Sequence, residues 1–266
     1  MSPPWAWALV GLGIFLIGVT KSGFGSGVGL LNVPMLVLAM DYTPGGSEAA
    51  LGLMLPLLIL GDVIAIWQYR KLFAPHIIRH LLPGTLLGVV LGGLLLWWFH
   101  RQADLVAILI RLEIGIECVL LVGLHWWRQA RGIQTTLLPE PWRGSVTGAF
   151  AAVSSTLAHA AGPIIAMYLL PLRLDRQLFV GTCALYFFLL NVAKLPAYAM
   201  SGMFERAELP FTLRFAPLVL LGAAAGWWLN RRLSDKAFST FVYAVTFALG
   251  WYLLIDAAVK LARAWT

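Results

Sequence analysis

The sequence contains apolar runs long enough to cross a bilayer, among them residues 81–99 and, with three charged residues inside it, residues 105–124. A helix needs roughly 20 mainly apolar residues to span the hydrocarbon core. Only 12% of the residues are charged and 60% are hydrophobic, whereas a soluble domain carries about 25% charged residues. A transmembrane barrel would instead show alternating segments of about ten residues. The sequence therefore predicts an all-α integral membrane protein that lies in a lipid bilayer.

Ten helical segments are predicted from the apolar runs and the breaks between them. They cover residues 5–20, 26–40, 48–68, 77–100, 105–126, 142–157, 160–172, 177–200, 209–230 and 237–262. The second and seventh segments are too short to cross a bilayer comfortably. Each follows a break rich in small or polar residues, at 21–27 and 154–159. These two segments are predicted to be re-entrant half-helices or strongly tilted crossings.

Basic residues in the loops predict the orientation, because cytoplasmic loops carry an excess of Lys and Arg. Eleven lie on one side: Arg70, Lys71, Arg79, Arg128, Arg131, Arg143, Arg173, Arg176, Arg231, Arg232 and Lys236. Five lie on the other: Arg101, Arg206, Arg214, Lys260 and Arg263. The first side is predicted to be cytoplasmic, which leaves both termini facing outward. The net charge of +7 is then explained without a nucleic-acid partner.

A weak internal repeat relates the two halves of the chain. An offset of 129 residues places Pro34 on Pro163, and an offset of 134 places Gly88 on Gly222. We predict a first transmembrane repeat over residues 1–132, a cytoplasmic linker over 133–141 and a second repeat over 142–266.

The charges of corresponding loops indicate that the second repeat is inverted. The loop at 41–47 has no Lys or Arg, while its counterpart after the seventh segment contains Arg173 and Arg176. Each half holds five segments, so the second half enters from the opposite side. The prediction is an inverted-repeat helical bundle whose two short helices meet near the bilayer midplane, an arrangement typical of transporters.

The two breaks are predicted to form a cradle for a small anion. A helix N-terminus leaves N–H donors unpaired and carries roughly half a positive charge, and it therefore binds anions. Glycine lets a ligand approach the backbone, and hydroxyl groups add donors. The candidate substrate-binding residues at the breaks are Lys21, Ser22, Gly25, Ser26, Gly27, Ser155, Thr156, His159 and Gly162.

Placing an ionisable residue inside an apolar membrane segment costs free energy, so such residues indicate functional sites by default. Lys194 lies deep in the eighth segment, and Asn191 is three residues earlier on the same helical face, so that both are predicted to hold one ligand. Lys21 either attracts the anion or is an interfacial lysine whose ammonium reaches the membrane surface. Asp62, at the repeat position of Asn191, is a candidate proton carrier or the counter-ion of Lys21 or Lys194. His159 either titrates in the site or donates to the backbone.

Other residues give no indication of catalysis, a cofactor or a metal. No His, Cys, Asp or Glu set has metal-ligand spacing, and no nucleophile stands beside a base with an orienting partner. Cys118 and Cys183 lie inside apolar segments and are predicted to be unpaired. Arg111, Glu113 and Glu117 form a second polar cluster, predicted to be a structural ion pair with another helix or a second subunit.

At the residues of the two breaks, the sequence resembles the sulfite exporter TauE/SafE family of membrane anion transporters. The resemblance rests on the stretches 20–29, 33–34 and 158–170, and on Asp175-Arg176, Gly181-Thr182, Tyr186-Phe187 and Asn191 to Lys194. It covers nearly the whole chain, which departs from the family in having Ser154-Ser155-Thr156 where a glycine-rich stretch is usual.

The resemblance implies a secondary transporter that exports sulfite or small organosulfur anions, such as sulfoacetate, across the bacterial inner membrane. We expect alternating access, coupled to protons, with no cofactor and with a homodimer as the assembly. The residues leave two other functions open, namely transport of a larger carboxylate or sulfonate, and a passive anion channel.

Overall fold

The computed structural model describes residues 3–23, 32–40, 42, 46–99, 103–132, 140–169, 172, 174–206, 212–230, 232 and 235–264. Its regular structure within these ranges is helical. The helices are α1 (Pro4–Gly23), α2 (Asn32–Met40), α3 (Gly46–Gln68), α4 (Pro75–Phe99), α5 (Ala103–Ala130), α6 (Pro141–Ala158), α7 (Ala161–Leu169), α8 (Arg176–Met200), α9 (Met203–Arg206), α10 (Ala216–Asn230) and α11 (Asp235–Ala264).

Four of these helices are long and apolar enough to cross a membrane. The candidate spans, among the described residues, are Pro4–Gly23, Ala50–Gln68, Pro75–Trp98 and Gln177–Met200, and Ala216–Leu229 is a shorter apolar helix. An apolar face of α4, with Leu86, Leu87, Val90 and Leu94, is exposed, as expected for a helix that faces lipid. For the described residues, the prediction of an all-α protein with helices long and apolar enough to cross a membrane is confirmed.

Glycines let two pairs of helices pack with their backbones in contact. On α4, a Cβ at Gly88 would overlap the carbonyl oxygen of Ala149 on α6, and on α10 a Cβ at Gly222 would overlap the carbonyl oxygen of Phe15 on α1. Without a hydrophobic driving force between helices in lipid, such close packing of small residues stabilises their association. Gly84, one turn before Gly88, lies against Ser145, and Gly23, after Phe15 on α1, lies against Gly226. Residue numbers therefore increase in the same direction on both helices of each pair, so α4 is parallel to α6 and α1 is parallel to α10.

Other pairs of helices are antiparallel. Asp62 of α3 contacts Asn191 of α8, whereas Tyr69, beyond the end of α3, lies against Gly181, near the start of α8. Gly115 of α5 lies against Leu254 of α11, and Gly250 lies against Cys118. The short helix α2 folds back along α1, since Thr20 is bonded to Asn32 while Gly13 lies against Leu36.

Two hydrophobic clusters fill the interior, and α8 borders both. One, around α1, α2 and α3, contains Ile14, Leu36 and Met54. The other, around α4, α6 and α7, contains Leu81 and Ile165. Cys118 and Cys183 are buried and neither forms a disulfide, as predicted.

The second break is shorter than predicted and lies at the end of the predicted range. We predicted a break over residues 154–159, but α6 continues through Ala158 and ends at His159, which has a left-handed backbone (φ 55°, ψ 22°). The backbone N–H of His159 bonds to the carbonyl oxygen of Ser155. Ser155 and Thr156 therefore belong to the last turn of α6 and not to the approach to α7. Of the first predicted break, residues 21–27, the first three belong to the last turn of α1 and residues 24–27 lie outside the described residues.

Replacing Gly88 or Gly222 with alanine should destabilise the protein. The added methyl group would meet a backbone carbonyl that cannot move aside, and overpacking of this kind costs about 1–3 kcal/mol. Reversible unfolding in mixed micelles measures the loss. The control is Gly123→Ala on α5, where a Cβ would meet nothing within 4 Å; it should be neutral or slightly stabilising, because alanine favours helix. Equal stability of all three variants would contradict the packing.

Candidate functional site

One face of α8 carries the polar groups of the candidate site. Phe187, Asn191, Lys194 and Tyr198 are spaced at intervals of three or four residues, so that they lie on the same face of the helix. This face is turned toward α1, α3 and the end of α6. Lys194 is completely buried and Asn191 nearly so. The prediction that the two residues share a face is confirmed.

Asp62 joins three helices through its two carboxylate oxygens. Lys21 Nζ of α1 donates to Oδ1 at 2.6 Å, and Asn191 Nδ2 of α8 donates to Oδ2 at 2.7 Å. The side chain of Asp62 is fully buried and that of Lys21 is 13% exposed. The ammonium of Lys21 also lies over the ring of Phe187, 4.5 Å from its centroid. Asp62 is thus the counter-ion of Lys21, which was one of its two predicted roles.

Lys194 has three acceptors, and none of them is a carboxylate. Its Nζ donates to the carbonyl oxygen of Ser155 at 3.0 Å and to Ser155 Oγ at 2.9 Å, and it lies 3.0 Å from His159 Nδ1. An ammonium has three N–H donors, and Ser155 Oγ and His159 Nδ1 can each accept one of them. The last carbonyls of a helix have no partner within the helix, and Lys194 supplies one here at the end of α6.

The hydrogen bonds of His159 determine its tautomer. Nε2 lies 2.9 Å from the carbonyl oxygen of Leu51, which can only accept, so Nε2 carries a proton. Nδ1 faces the ammonium of Lys194 and therefore accepts. A ring with one donor and one acceptor is neutral. His159 thus links α6 to the backbone of α3, in agreement with the prediction that it donates to the backbone.

Tyr198 belongs to this network, and the sequence interpretation missed it. Its hydroxyl donates to the carbonyl oxygen of Thr156 at 2.8 Å and lies 3.3 Å from His159 Nε2. Tyr69 was also missed; its hydroxyl donates to the carbonyl oxygen of Ser22 at 2.8 Å. The spacing of Tyr198, four residues after Lys194, was a signal that could have identified it. The repeat offset of 129 residues, which places Tyr69 on Tyr198, was the corresponding signal for Tyr69.

The remaining predicted site residues are placed as follows. Ser22 is buried, and its hydroxyl has no partner among the described residues. Thr156 is buried and donates to the carbonyl oxygen of Ala152. Gly162 is the second residue of α7. Gly25, Ser26 and Gly27, and the side chains of Arg111, Glu113 and Glu117, lie outside what the structure describes.

Within the described part of the chain, no group of three His, Cys, Asp or Glu side chains could hold a metal ion. The polar groups brought together are two ammonium groups, one carboxylate, a carboxamide, hydroxyls and a neutral imidazole. Two basic side chains and one acidic side chain thus lie close together inside a bundle of apolar helices.

Comparison with known proteins identifies one family. The family model described as "Sulfite exporter TauE/SafE" matches residues 10–253 of the 266-residue chain. Neither a curated protein nor a solved structure matches the chain.

Removing the carboxylate of Asp62 should destabilise the protein more than removing the whole ion pair. Asp62→Leu leaves the ammonium of Lys21 almost buried without a counter-ion, which costs about 3–5 kcal/mol. The double variant Lys21→Met/Asp62→Leu replaces both charges with apolar groups, a change that is often neutral. Unfolding in mixed micelles should show the double variant to be more stable than the Asp62→Leu single variant. The opposite order would mean that the pair is not a buried unit.

Proposed function

Since the chain belongs to the sulfite exporter TauE/SafE family, and is thus a membrane anion transporter of the exporter type, we propose that it exports sulfite or a small organosulfur anion. The transport is a proton-coupled alternating-access cycle across the bacterial inner membrane. Sulfoacetate is one example of this class of organosulfur anions.

The observation that carries this proposal is the excess of positive charge inside the helix bundle. Lys21, Asp62 and Lys194 lie where α1, α3, α6 and α8 meet, and the first two neutralise each other. A buried charge without a counter-ion is expensive, so the arrangement is most stable when an anion is nearby. Transport needs this kind of site, one that gains a charge partner when the substrate enters.

We assign the direct contacts to Lys21 and Asn191. Lys21 uses one N–H on Asp62, so an ammonium at this position has two more donors, and Asn191 has a second amide N–H. Ser22, with its buried hydroxyl, belongs to this side of the proposed site, and Gly25, Ser26 and Gly27, which follow it in the sequence, remain predicted substrate-binding residues. Glycines there would let the anion approach backbone donors.

The second side of the proposed site is formed by the junction of α6 and α7. Lys194 contributes its charge while Ser155 and His159 hold its ammonium in place. Thr156 is held through its carbonyl by Tyr198. Gly162 lies in the first turn of α7, where backbone N–H groups have no partner within the helix and favour an anion.

Helix directions support an inverted repeat of residues 1–132 and 142–266. The counterparts α3 and α8 are antiparallel, as are α5 and α11. The contact of Gly88 with Ala149 has a counterpart in the contact of Gly222 with Phe15, and the offset of 134 residues exchanges one contact for the other. A twofold axis in the membrane plane would produce this pattern.

The contact between Asp62 and Asn191 supports a site on that axis. Their separation of 129 residues equals the offset of the repeat, so the two residues are counterparts that touch each other. Two equivalent residues meet only where the axis passes between them. Rocking of one repeat against the other would then expose the same anion to each side in turn.

Asp62 is the proposed proton carrier. Protonation of its carboxylate would release Lys21 from its counter-ion and raise the positive charge of the site, which strengthens the attraction for an anion. We further propose that the termini face outward, with residues 133–141 on the cytoplasmic side, and that the protein forms a homodimer.

Lys194→Met should abolish most sulfite flux in proteoliposomes, a loss of about tenfold or more, because the site then has no net positive charge. In the wild type, flux should saturate with sulfite and require a pH gradient. The control is Lys260→Met, which removes a lysine from the surface of α11, where it pairs with Asp256; its flux should equal that of the wild type.

Three results would overturn parts of this proposal. Undiminished flux in Lys194→Met would make that lysine structural. Wild-type flux that neither saturates nor depends on the gradient would indicate a passive channel. Absence of sulfite flux, with flux of a longer carboxylate or sulfonate, would indicate the larger substrates.

A further inference from the structure

Among the described residues, four tryptophans near helix ends each lie beneath the guanidinium of a nearby arginine. The distances from the arginine Cζ to the centroid of the tryptophan ring are 5.2 Å for Arg70 over Trp67, 4.8 Å for Arg131 over Trp127, 5.4 Å for Arg143 over Trp142 and 4.8 Å for Arg232 over Trp228. A cation within about 6 Å of an indole centroid is attracted by the face of the ring. All four tryptophans are exposed. These pairs therefore belong to the outer surface of the bundle and are separate from the interior network around Lys194.

Two of the pairs lie at the same end of the bundle because of the directions of α3, α4 and α6. Trp67 is in the last turn of α3, and only residues 69–74 separate that helix from the start of α4. The helix α6 is parallel to α4, and Gly144, near the start of α6, lies against His80, near the start of α4. The start of α6, with Trp142, is therefore at the same end as Trp67.

The pair on α10 lies at this end as well. Gly61 of α3 lies against Ile17 of α1, whereas Tyr69, beyond the end of α3, bonds to Ser22 in the last turn of α1. The helix α1 is thus parallel to α3, and α10 is parallel to α1. The end of α10, with Trp228, is therefore at the same end of the bundle as the end of α3.

The fourth pair follows from the contact between α5 and α11. Only residues 231–234 separate the end of α10 from the start of α11. The helix α5 is antiparallel to α11, and the ring of His125 lies 4.3 Å from that of Tyr243. The end of α5, with Trp127, is therefore beside the start of α11. All four pairs thus form one surface at one end of the bundle, the arginine–tryptophan surface.

Each tryptophan of this surface continues an exposed apolar face of its helix. An exposed apolar side chain lies one or two turns nearer the middle of each helix, namely Val63 on α3, Leu120 on α5, Val146 on α6 and Leu221 on α10. On α3, α5 and α10 the arginine follows its tryptophan by three or four residues, toward the end of the helix. Tryptophan rings lie at the level of the lipid headgroups. The order along these three helices is therefore acyl chains, interface and headgroup phosphates.

A guanidinium over an indole ring remains available to a phosphate. The ring is uncharged, so the arginine keeps its positive charge, and the planar fork of N–H donors fits a phosphate bidentately. Within the described part of the chain, a carboxylate pairs with one of the four, Arg143, whose Nε lies 3.1 Å from Glu140. Contact with the ring also restricts the long arginine side chain before a ligand binds, which lowers the entropy that binding costs.

We propose that the arginine–tryptophan surface binds anionic phospholipids, with the lipid phosphates at the guanidinium groups and the acyl chains along the apolar faces below. A zwitterionic lipid is a weaker ligand, because its own ammonium offsets the charge of its phosphate. Basic residues at a membrane surface are attracted to anionic lipids, and the indole rings hold four of them at the level of the phosphates. This surface is distinct from the proposed anion site, and its lipid preference does not depend on transport.

Native mass spectrometry of the purified full-length protein in detergent tests the lipid preference. Phosphatidylglycerol and phosphatidylcholine with identical acyl chains differ in headgroup charge alone. Titration with each lipid should show phosphatidylglycerol bound about tenfold more tightly. Equal affinity of the wild type for the two lipids would overturn the proposal without any variant. Displacement of phosphatidylglycerol by an equal concentration of glycerol phosphate would also overturn it, since the surface would then bind a soluble phosphate and not a lipid.

Three triple variants test whether the pairs are the cause. Arg70→Gln, Arg131→Gln and Arg232→Gln together remove three paired charges, whereas Trp67→Leu, Trp127→Leu and Trp228→Leu together keep the charges and remove the rings. Both variants should lose most of the preference for phosphatidylglycerol. The matched control combines Lys71→Gln, Arg79→Gln and Arg128→Gln, which removes three exposed basic side chains from the same end. Its preference should stay within about twofold of the wild type, because exposed charges at a distance are screened.

The variants separate the pairs from the general charge of this end. A control that loses the preference as fully as the arginine variant would overturn the role of the pairs in favour of overall charge. Undiminished preference in the tryptophan variant would overturn the role of the rings. Gel filtration shows whether each variant is folded. If a triple variant does not fold, single variants decide: Arg232→Gln and Trp228→Leu must each weaken phosphatidylglycerol binding more than Arg128→Gln does.

Discussion

The burial of three charged side chains in an apolar helix bundle is the constraint on which the rest of the structure depends. Lys194 is acceptable inside the bundle because the end of α6 supplies acceptors at Ser155 and His159. Asp62 is acceptable because Lys21 and Asn191 donate to both of its oxygens. These bonded groups lie on four different helices. The burial of the three charges therefore determines how α1, α3, α6 and α8 meet.

Close helix packing places these partners within reach. Gly88 brings α4 against α6, and Gly222 brings α10 against α1. In lipid such contacts replace the hydrophobic effect as the source of helix association. Gly88 and Gly222, which appear in the sequence as scattered small residues, therefore help to position a polar network on the neighbouring helices.

The sequence predicted the helices and most of the polar groups, because both leave local signals. Lys194 and Asn191 were found from their depth in an apolar segment and their shared face, and Asp62 from its charge. The break before α7 was predicted to be longer than it is, because serine and threonine near the end of α6 resemble a break, whereas the helix continues to a left-handed turn at His159. Tyr69 was missed as a site residue because its hydrogen bond to the backbone of Ser22 is a tertiary contact.

The most direct test of the central claim, an anion site between Lys21 and Asn191, is to locate a bound anion. Selenite has the shape and charges of sulfite and contains selenium, whose anomalous scattering marks its position in a crystal. The account predicts a selenium peak within hydrogen-bond distance of Lys21 Nζ and Asn191 Nδ2. A peak elsewhere in the bundle, with none beside these two atoms, would contradict it.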